Sequence, residues 1–436
     1  VLNRRTMALV ALAGLLAVAP AGAVATSSAV ETTGAETTPS ATAPTRISSC
    51  TTITQPGEYV LAADVENASP TRPRTGLGAC IEIRTDDVTL RGGNHTVAAG
   101  PGGSPGVVGV LVSPRTRARG ASFPGVLVGG ADPRSNVTVR DLTTTRWGAG
   151  VAVRGATGVA LRNVSAVNNL GDGFFVENAP DLRVRGGEIR GSNTGVFLRR
   201  SPNATLAGLA VANNLAGVSV RRSDEATLRN LSVADHSQFG VALVRSTGAI
   251  VANSTFRDDG FAEIALARSS AARLVSVSVA NSSGWEVYAA RNSTAVGEEV
   301  RLGVTLLDSL TASDVALDAS ADVPPLPITD RQVVGEALFA LPTGAEATDS
   351  RLSLSVGYDD AAVERARTTE EFLSLWRFDA GEGWSRVETT LAPARNVASA
   401  EFRNPSRNGT VVALVGEGLA ERGERTAEAR NRTLAG

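Results

Sequence analysis

The sequence predicts an all-β chain: a right-handed parallel β-helix with three strands per coil, followed by a small antiparallel β-sandwich. Three observations carry this reading. Lines begun at Gly125, Gly150, Gly173, Gly195, Gly217, Gly240, Glu263 and Glu286 run 25, 23, 22, 22, 23, 23 and 23 residues, a period that belongs to solenoids. Each line holds three short apolar alternations, the two-residue repeat of a strand. After Asp322 the period stops at "VPPLP", and longer alternating segments separated by turn residues take over, the texture of antiparallel sheets.

Taken in order, residues 1–25 read as an export signal: Arg4 and Arg5, an apolar run over 7–18, Pro20, then small residues at Ala21, Ala23 and Ala25. A twin-arginine and an ordinary secretory signal both fit, so the expected location is extracellular or the cell surface, by Sec or Tat. Residues 26–45 are Ser, Thr, Ala, Pro and Glu with little to bury, a disordered linker. No later run reaches the ~18 apolar residues of a membrane span. Export gives Cys50 and Cys80, the only two cysteines, an oxidising compartment in which to pair; two buried thiols are the alternative.

The β-helix with its N-terminal cap is assigned to residues 46–321, about ten coils at this period. Counting each line's first residue as zero, apolar residues recur at offsets one and three (Val196 and Leu198, Val218 and Val220, Val241 and Leu243), at nine and eleven (Val159 and Leu161, Leu182 and Val184), and at fourteen and sixteen (Leu209 and Val211, Leu231 and Val233). Offset thirteen holds Asn163, Gly186, Gly208, Asn230 and Asn253, types that accept left-handed backbone cheaply. Offset eighteen holds Asn168, Asn213, Asp235, Asp258 and Asn281, a stack of polar turns. A leucine-rich repeat has a similar period but needs a Leu-rich consensus, whereas these lines favour Val, Gly and Asn.

Upstream, "ACIEIRTDDVTLRGGNHTVAAG" from Ala79 and "GVLV" from Gly109 continue the pattern, interrupted by a Gly, Pro and Arg-rich insertion over 113–124. With "SCTTITQPGEYVLAADV" from Ser49 and the coils after Asn136, this stretch resembles the NosD-like right-handed parallel β-helix proteins, relatives of the pectate-lyase superfamily exported by salt-loving archaea. The resemblance covers roughly residues 47–310 and is specific for fold; such helices serve lyases, hydrolases, adhesins and inert fibres. It also implies copper. Copper prefers Cys, Met and His, and beyond the signal segment the chain offers no Met, two cysteines expected to be oxidised and two distant histidines, so that implication fails on the residues.

Residues 322–417 form the expected sandwich, with Trp376 and Trp384 as its core aromatics rather than a sugar platform. The tail, 418–436, alternates Glu and Arg without apolar periodicity and is expected to be flexible.

The chain's 42 basic residues are all Arg, which excludes lysine Schiff bases, lysine general bases and P-loops, and a net charge of −2 predicts no nucleic-acid partner. "GGSPG" from Gly102 matches the nucleophile-elbow string, but the elbow needs a strand before Ser104 and a helix after it. His95 and His236 are the only histidines, too few for the usual zinc hydrolase motifs.

Two columns remain. Asp235 and His236 in one line and Asp258 and Asp259 in the next share offsets, so they are the candidate acid/base group, or a seat for a hard cation such as Ca²⁺; the bland reading is a solvated polar turn. Offset five carries Arg200, Arg222, Arg245, Arg268 and Arg291, followed by Ser201, Ser223, Ser246, Ser269 and Asn292. At ~4.8 Å per rung these guanidiniums form a stripe whose pitch approaches the length of one sugar residue, matched to acidic polysaccharide or cell-surface glycan. Its bland reading is solvated side chains with Asp224 and Glu225 nearby.

Eleven Asn-x-Ser/Thr sequons occur, at Asn67, Asn94, Asn136, Asn163, Asn203, Asn230, Asn253, Asn281, Asn292, Asn408 and Asn431. Several coincide with coil turns that call for Asn in any case. The expectation is therefore a secreted or surface-attached structural and binding protein without a cofactor, with a polysaccharide lyase or hydrolase acting through the Asp edge as the alternative. No motif sets an oligomeric state.

Overall fold

The computed structural model describes residues 43–68, 78–112, 135–320, 322–327, 331–344 and 350–417. The export signal, nearly all of the linker, the insertion over 113–124 and the charged tail lie outside the described residues. The first strand, Thr45–Ile47, begins at the last residue assigned to the linker.

Each coil contributes one strand to a first sheet and two short segments to a second. Thr194–Arg199, for example, stacks between Asp172–Glu177 and Ala216–Arg221 in sheet 1, while Thr205–Ala207 and Ala210–Ala212 stack in sheet 2. Ten described strands of sheet 1 pair in parallel in succession, from Thr51–Ile53 to Trp285–Ala290. This is the parallel β-helix that the 22- and 23-residue lines predict. Val220 pairs with Leu198 on one side and Leu243 on the other, and all three are fully buried. The sheet 1 strands Phe239–Val244, Ala262–Ala267 and Trp285–Ala290 are buried throughout, whereas short sheet 2 strands such as Arg183–Arg185 alternate exposed and buried.

One line boundary differs. Val151 pairs with Val110, so the coil ahead of Gly150 takes its sheet 1 strand from Ser104–Val112 and its sheet 2 strand from Val137–Thr145, while the start of the line begun at Gly125 lies outside the described residues. Ser104 opens a strand and is followed by strand, not helix, which removes the elbow geometry.

Corners between strands are made by left-handed residues, and nine of the eleven sequon asparagines sit at positive φ, from Asn67 to Asn292. Their side-chain type is thus required by the backbone. Cys50 and Cys80 form the expected disulfide, tying the first coil to the second.

The end of the helix is not a separate body joined by a linker. Thr294–Leu302 pairs in parallel with the preceding coil and antiparallel with Thr305–Ser313, and sheet 2 then runs on through Arg351–Gly357 and Val397–Arg403. Sheet 1 continues from Trp285–Ala290 into Val315–Ser320, Ala337–Pro342, Thr410–Gly416 and Leu373–Asp379. Pairing therefore turns antiparallel before residue 322, and the sandwich core (Leu310, Leu338, Leu354, Leu414) is continuous with the helix interior. On the other face of the sandwich sheet, Trp376 is buried in a further hydrophobic cluster with Ala337, Val411, Ala413 and Val415, and Trp384 packs against it. Val323 and Leu326 pack there too, and Trp384 Nε1 donates to the carbonyls of Pro324 and Pro325 at 3.3 and 3.1 Å.

Candidate functional site

The column of Arg200, Arg222, Arg245, Arg268 and Arg291 forms the corner where each sheet 1 strand ends. All five are left-handed, with φ of 49–60°. For a long side chain without a local polar partner this conformation costs of order 1 kcal/mol, and most other non-glycine residues that adopt it here are Asn or Asp. The column is pinned from inside. Ser201, Ser223, Ser246 and Ser269 are fully buried, and each Oγ accepts from a backbone N–H one coil earlier, at 3.0–3.1 Å. After Arg291, the extra residue Asn292 passes the role to Ser293, whose Oγ accepts from Ser269 N.

Among the described residues, no carboxylate pairs with any of the five arginines. The acidic neighbour Asp224 instead accepts from Thr247 N at 2.7 Å. Burial and then the like charges of Arg245, Arg200 and Arg199 hold Arg222 below the ordinary arginine value. The column is thus a row of uncompensated, mutually repelling cations.

Beside it, at offsets two and four of sheet 1, lies a group outside the two columns read from the sequence. Phe175 and Phe197 stack at 5.6 Å with planes 8° apart; Arg154 and Arg221 lie 5.6 and 5.3 Å from their ring centroids. Glu177 is gripped by Arg154 at 2.8 Å and Arg199 at 3.3 Å. Burial pushes Asp172 up to about 6, against a hydrogen bond from Thr194 and the charge of Arg221.

The four residues of the candidate acid/base edge do not act together. Asp235 and Asp258 are left-handed and face outward, where Arg257 reaches both, at 3.9 and 2.5 Å. His236 and Asp259, one residue further on, turn into the helix interior with side chains wholly buried. The left-handed residue at offset eighteen shifts the alternation by one place, so offset nineteen rather than offset eighteen faces the core.

The inward members form a polar corner inside the apolar core. Asn214 Nδ2, which can only donate, lies 3.3 Å from His236 Nε2, so Nδ1 carries the ring hydrogen and donates to Asp259 Oδ1 at 2.8 Å. Asp259 N donates to Glu263 Oε1 at 2.9 Å, leaving Asp259 Oδ2 and Glu263 Oε2 without partners as two bare acceptors. Burial, then the contact with Asp259, pushes Glu263 up to about 9. A proton on Glu263 Oε2 donating to Asp259 Oδ2 satisfies both atoms. A second pair repeats the device: burial and Asp318 push Glu286 up to about 9, while its Oε2 accepts from Ala319 N at 2.7 Å. Space for this corner comes from the glycines at offset zero. A Cβ on Gly217 would sit 3.0 Å from His236 Nε2, and one on Gly240 2.3 Å from Asp259 Oδ2.

Fold and site together define a parallel β-helix with a turn-borne cationic edge. Residues 150–301 match the family model described as periplasmic copper-binding protein (NosD). No curated protein matches the sequence. Among solved structures, the chain is similar to the mannuronan C-5 epimerase AlgE4 A-module of Azotobacter vinelandii (15% identity, 53% of this chain and 72% of that one, TM-score 0.40). It is also similar to the periplasmic alginate epimerase AlgG (10%, 57% and 69%, 0.41) and to the enzymatically active domain of tailspike protein 2 of bacteriophage CBA120 (10%, 84% and 76%, 0.38).

The copper in the family's description finds no seat here. Both cysteines are oxidised, His236 is sealed against Asp259, His95 pairs with Asp64 at 3.0 Å, and among the described residues no three His, Cys, Asp or Glu are placed to hold a metal ion. The same holds for a Ca²⁺ cage at the Asp edge, where Arg257 already stands between Asp235 and Asp258.

Proposed function

We propose that the chain is an exported β-helix binding protein whose arginine column takes acidic polysaccharide or cell-surface glycan. The observation that supports this reading is the row of five left-handed, unpaired arginines, held in register by buried serines where Asn or Gly would cost less. Guanidinium forks at rung spacing suit carboxylate or sulfate groups repeated along a chain. The disulfide and the apolar N-terminal segment fit an oxidising compartment outside the cytoplasm. The lyase or hydrolase alternative drew on Asp235, His236, Asp258 and Asp259 as one group, and that group is divided between surface and interior.

The test is binding of a polyuronate and of a neutral glycan to the wild type and to Arg222→Ala/Arg245→Ala. Each charge-assisted contact contributes about 1.5–3 kcal/mol, so the double variant should bind the polyuronate at least tenfold more weakly, with a shallower salt dependence. Equal retention of both proteins on the polyuronate would remove the reading.

A further inference from the structure

A second set of unpaired guanidiniums lies away from the turn column, on the outer face of sheet 2. Strands Ala160–Val167 and Arg183–Arg185 pair in parallel with Ala160 beside Arg183 and Arg162 beside Arg185. Leu161 and Val184, between them, are fully buried, so these four residues all face outward. They occupy the corners of a patch about 4.8 Å across the strands and roughly 6.6 Å along them. Three corners are arginines and the fourth is a methyl group, which leaves a hollow lined by Ala160, Arg162, Arg183 and Arg185.

The surroundings single this patch out. Arg91, Arg140, Arg162 and Arg185 form one file over four rungs. The first two are neutralised, Arg91 by Glu58 and Arg140 by Asp141. Among the described residues, no carboxylate pairs with Arg162, Arg183 or Arg185. The flanking rungs place Thr138 beside Ala160 and Thr205 beside Arg183, short hydroxyl side chains that leave the hollow open.

Three cations around one hollow call for a compact anion with more than one charge. A planar carboxylate offers two oxygens and one charge, and leaves a guanidinium unmatched. A tetrahedral dianion presents oxygens to three forks at once. We propose that Arg162, Arg183 and Arg185 form a receptor for a single tetrahedral oxyanion, sulfate or phosphate, either free or as an ester group. This site is independent of the arginine column and of the glycan reading.

The experiment titrates the full chain with inorganic phosphate by calorimetry, at an ionic strength held constant with chloride, for the wild type, Arg183→Gln and Ala160→Leu. The leucine fills the hollow and leaves all three charges, while the glutamine removes one exposed charge and keeps the hollow. Saturable one-to-one binding is expected in the wild type, weakened about tenfold or more in each variant and unchanged in Arg222→Ala/Arg245→Ala. A sugar sulfate that binds more tightly than inorganic sulfate would assign the ester, and equal binding would assign the free ion. The proposal falls if phosphate behaves like chloride, if acetate competes equally, if Arg183→Gln binds as the wild type does, or if the column variant is the one that loses phosphate.

Discussion

Glu263→Gln is the substitution whose consequences the polar corner defines most sharply. Glutamine keeps both contacts: its Oε1 accepts from Asp259 N, and its Nε2 donates to Asp259 Oδ2 in place of the proton that the acid must hold. Only the ionisation is removed. Because Glu263 stands near 9 when folded and at 4.5 when free, the folded state holds a proton that the unfolded state has released anywhere between these values. Stability from this group is therefore fully present below about pH 4.5 and drains away as pH rises towards 9. The limiting slope is about 1.4 kcal/mol per pH unit, so a rise from pH 6 to pH 8 costs about 3 kcal/mol. Glu286 adds a similar term of the same sign. The variant should match the wild type near pH 5 and become the more stable protein by a few kcal/mol at pH 8.5. Hydrogen exchange of the coils spanning 217–290, read at both pH values, measures this locally and does not require two-state unfolding. Parallel loss of protection in wild type and variant between pH 5 and pH 8.5 would refute the shared-proton assignment.

Three further outcomes are expected. Val220→Asp should cost several kcal/mol as an unpaired buried carboxylate, and Val220→Ile about 1 or less; exchange protection should fall first in the coils of Leu198 and Leu243, and uniform loss along the whole chain would contradict nearest-neighbour coupling. Replacing Cys50 and Cys80 by serine opens a linkage between residues 30 apart in sequence, a loss of about 3–4 kcal/mol by loop entropy that thermal unfolding should report and that should be concentrated in the first coils. Asp172, pushed up to about 6 beside Arg221, loses its charge as pH falls through that value and leaves the arginine uncompensated, so a sulfated polysaccharide should bind more tightly at pH 5 than at pH 7. Asp172→Asn should bind equally at both; a pH slope that survives in this variant would sink the assignment.

How much of this was legible in the sequence follows from periodicity. Val220 stacks between Leu198 and Leu243 because a solenoid rung repeats its own length, and counting residues is then the same as measuring register. The arginine column was visible for that reason. Its left-handed backbone was not, since Arg is a poor marker of that conformation and Asn a good one. The polar corner was hidden by the same turns: a period-two reading cannot show that Asp235 faces solvent while His236 faces the core. Its one sequence signal was Glu263 and Glu286 standing in a glycine file, and this makes sense only in terms of space, since glycines 217 and 240 yield to His236 and Asp259. In the Asp172, Phe175, Phe197 and Arg221 group, Phe175 and Phe197 share offset two, and Arg221 shares offset four with Arg154, Glu177 and Arg199; the mixed residue types along each file, Phe beside Ala and Ser or Glu among Arg, hid the group. The early turn to antiparallel pairing also escaped notice, because Thr294–Leu302 belongs to both regimes.

That last strand determines what the molecule can become. A parallel stack ends in open donors and acceptors on both sheets, and such an edge can accept the first coil of another copy. Here the edge is consumed, since Thr305–Ser313 and Val315–Ser320 run against it in the opposite sense on both sheets at once. A coil of a second molecule, arriving in parallel, finds no matching register. Truncation after Leu302 would reopen the sheet 1 edge at Trp285–Ala290, which now meets an antiparallel neighbour, as an open template for strand pairing.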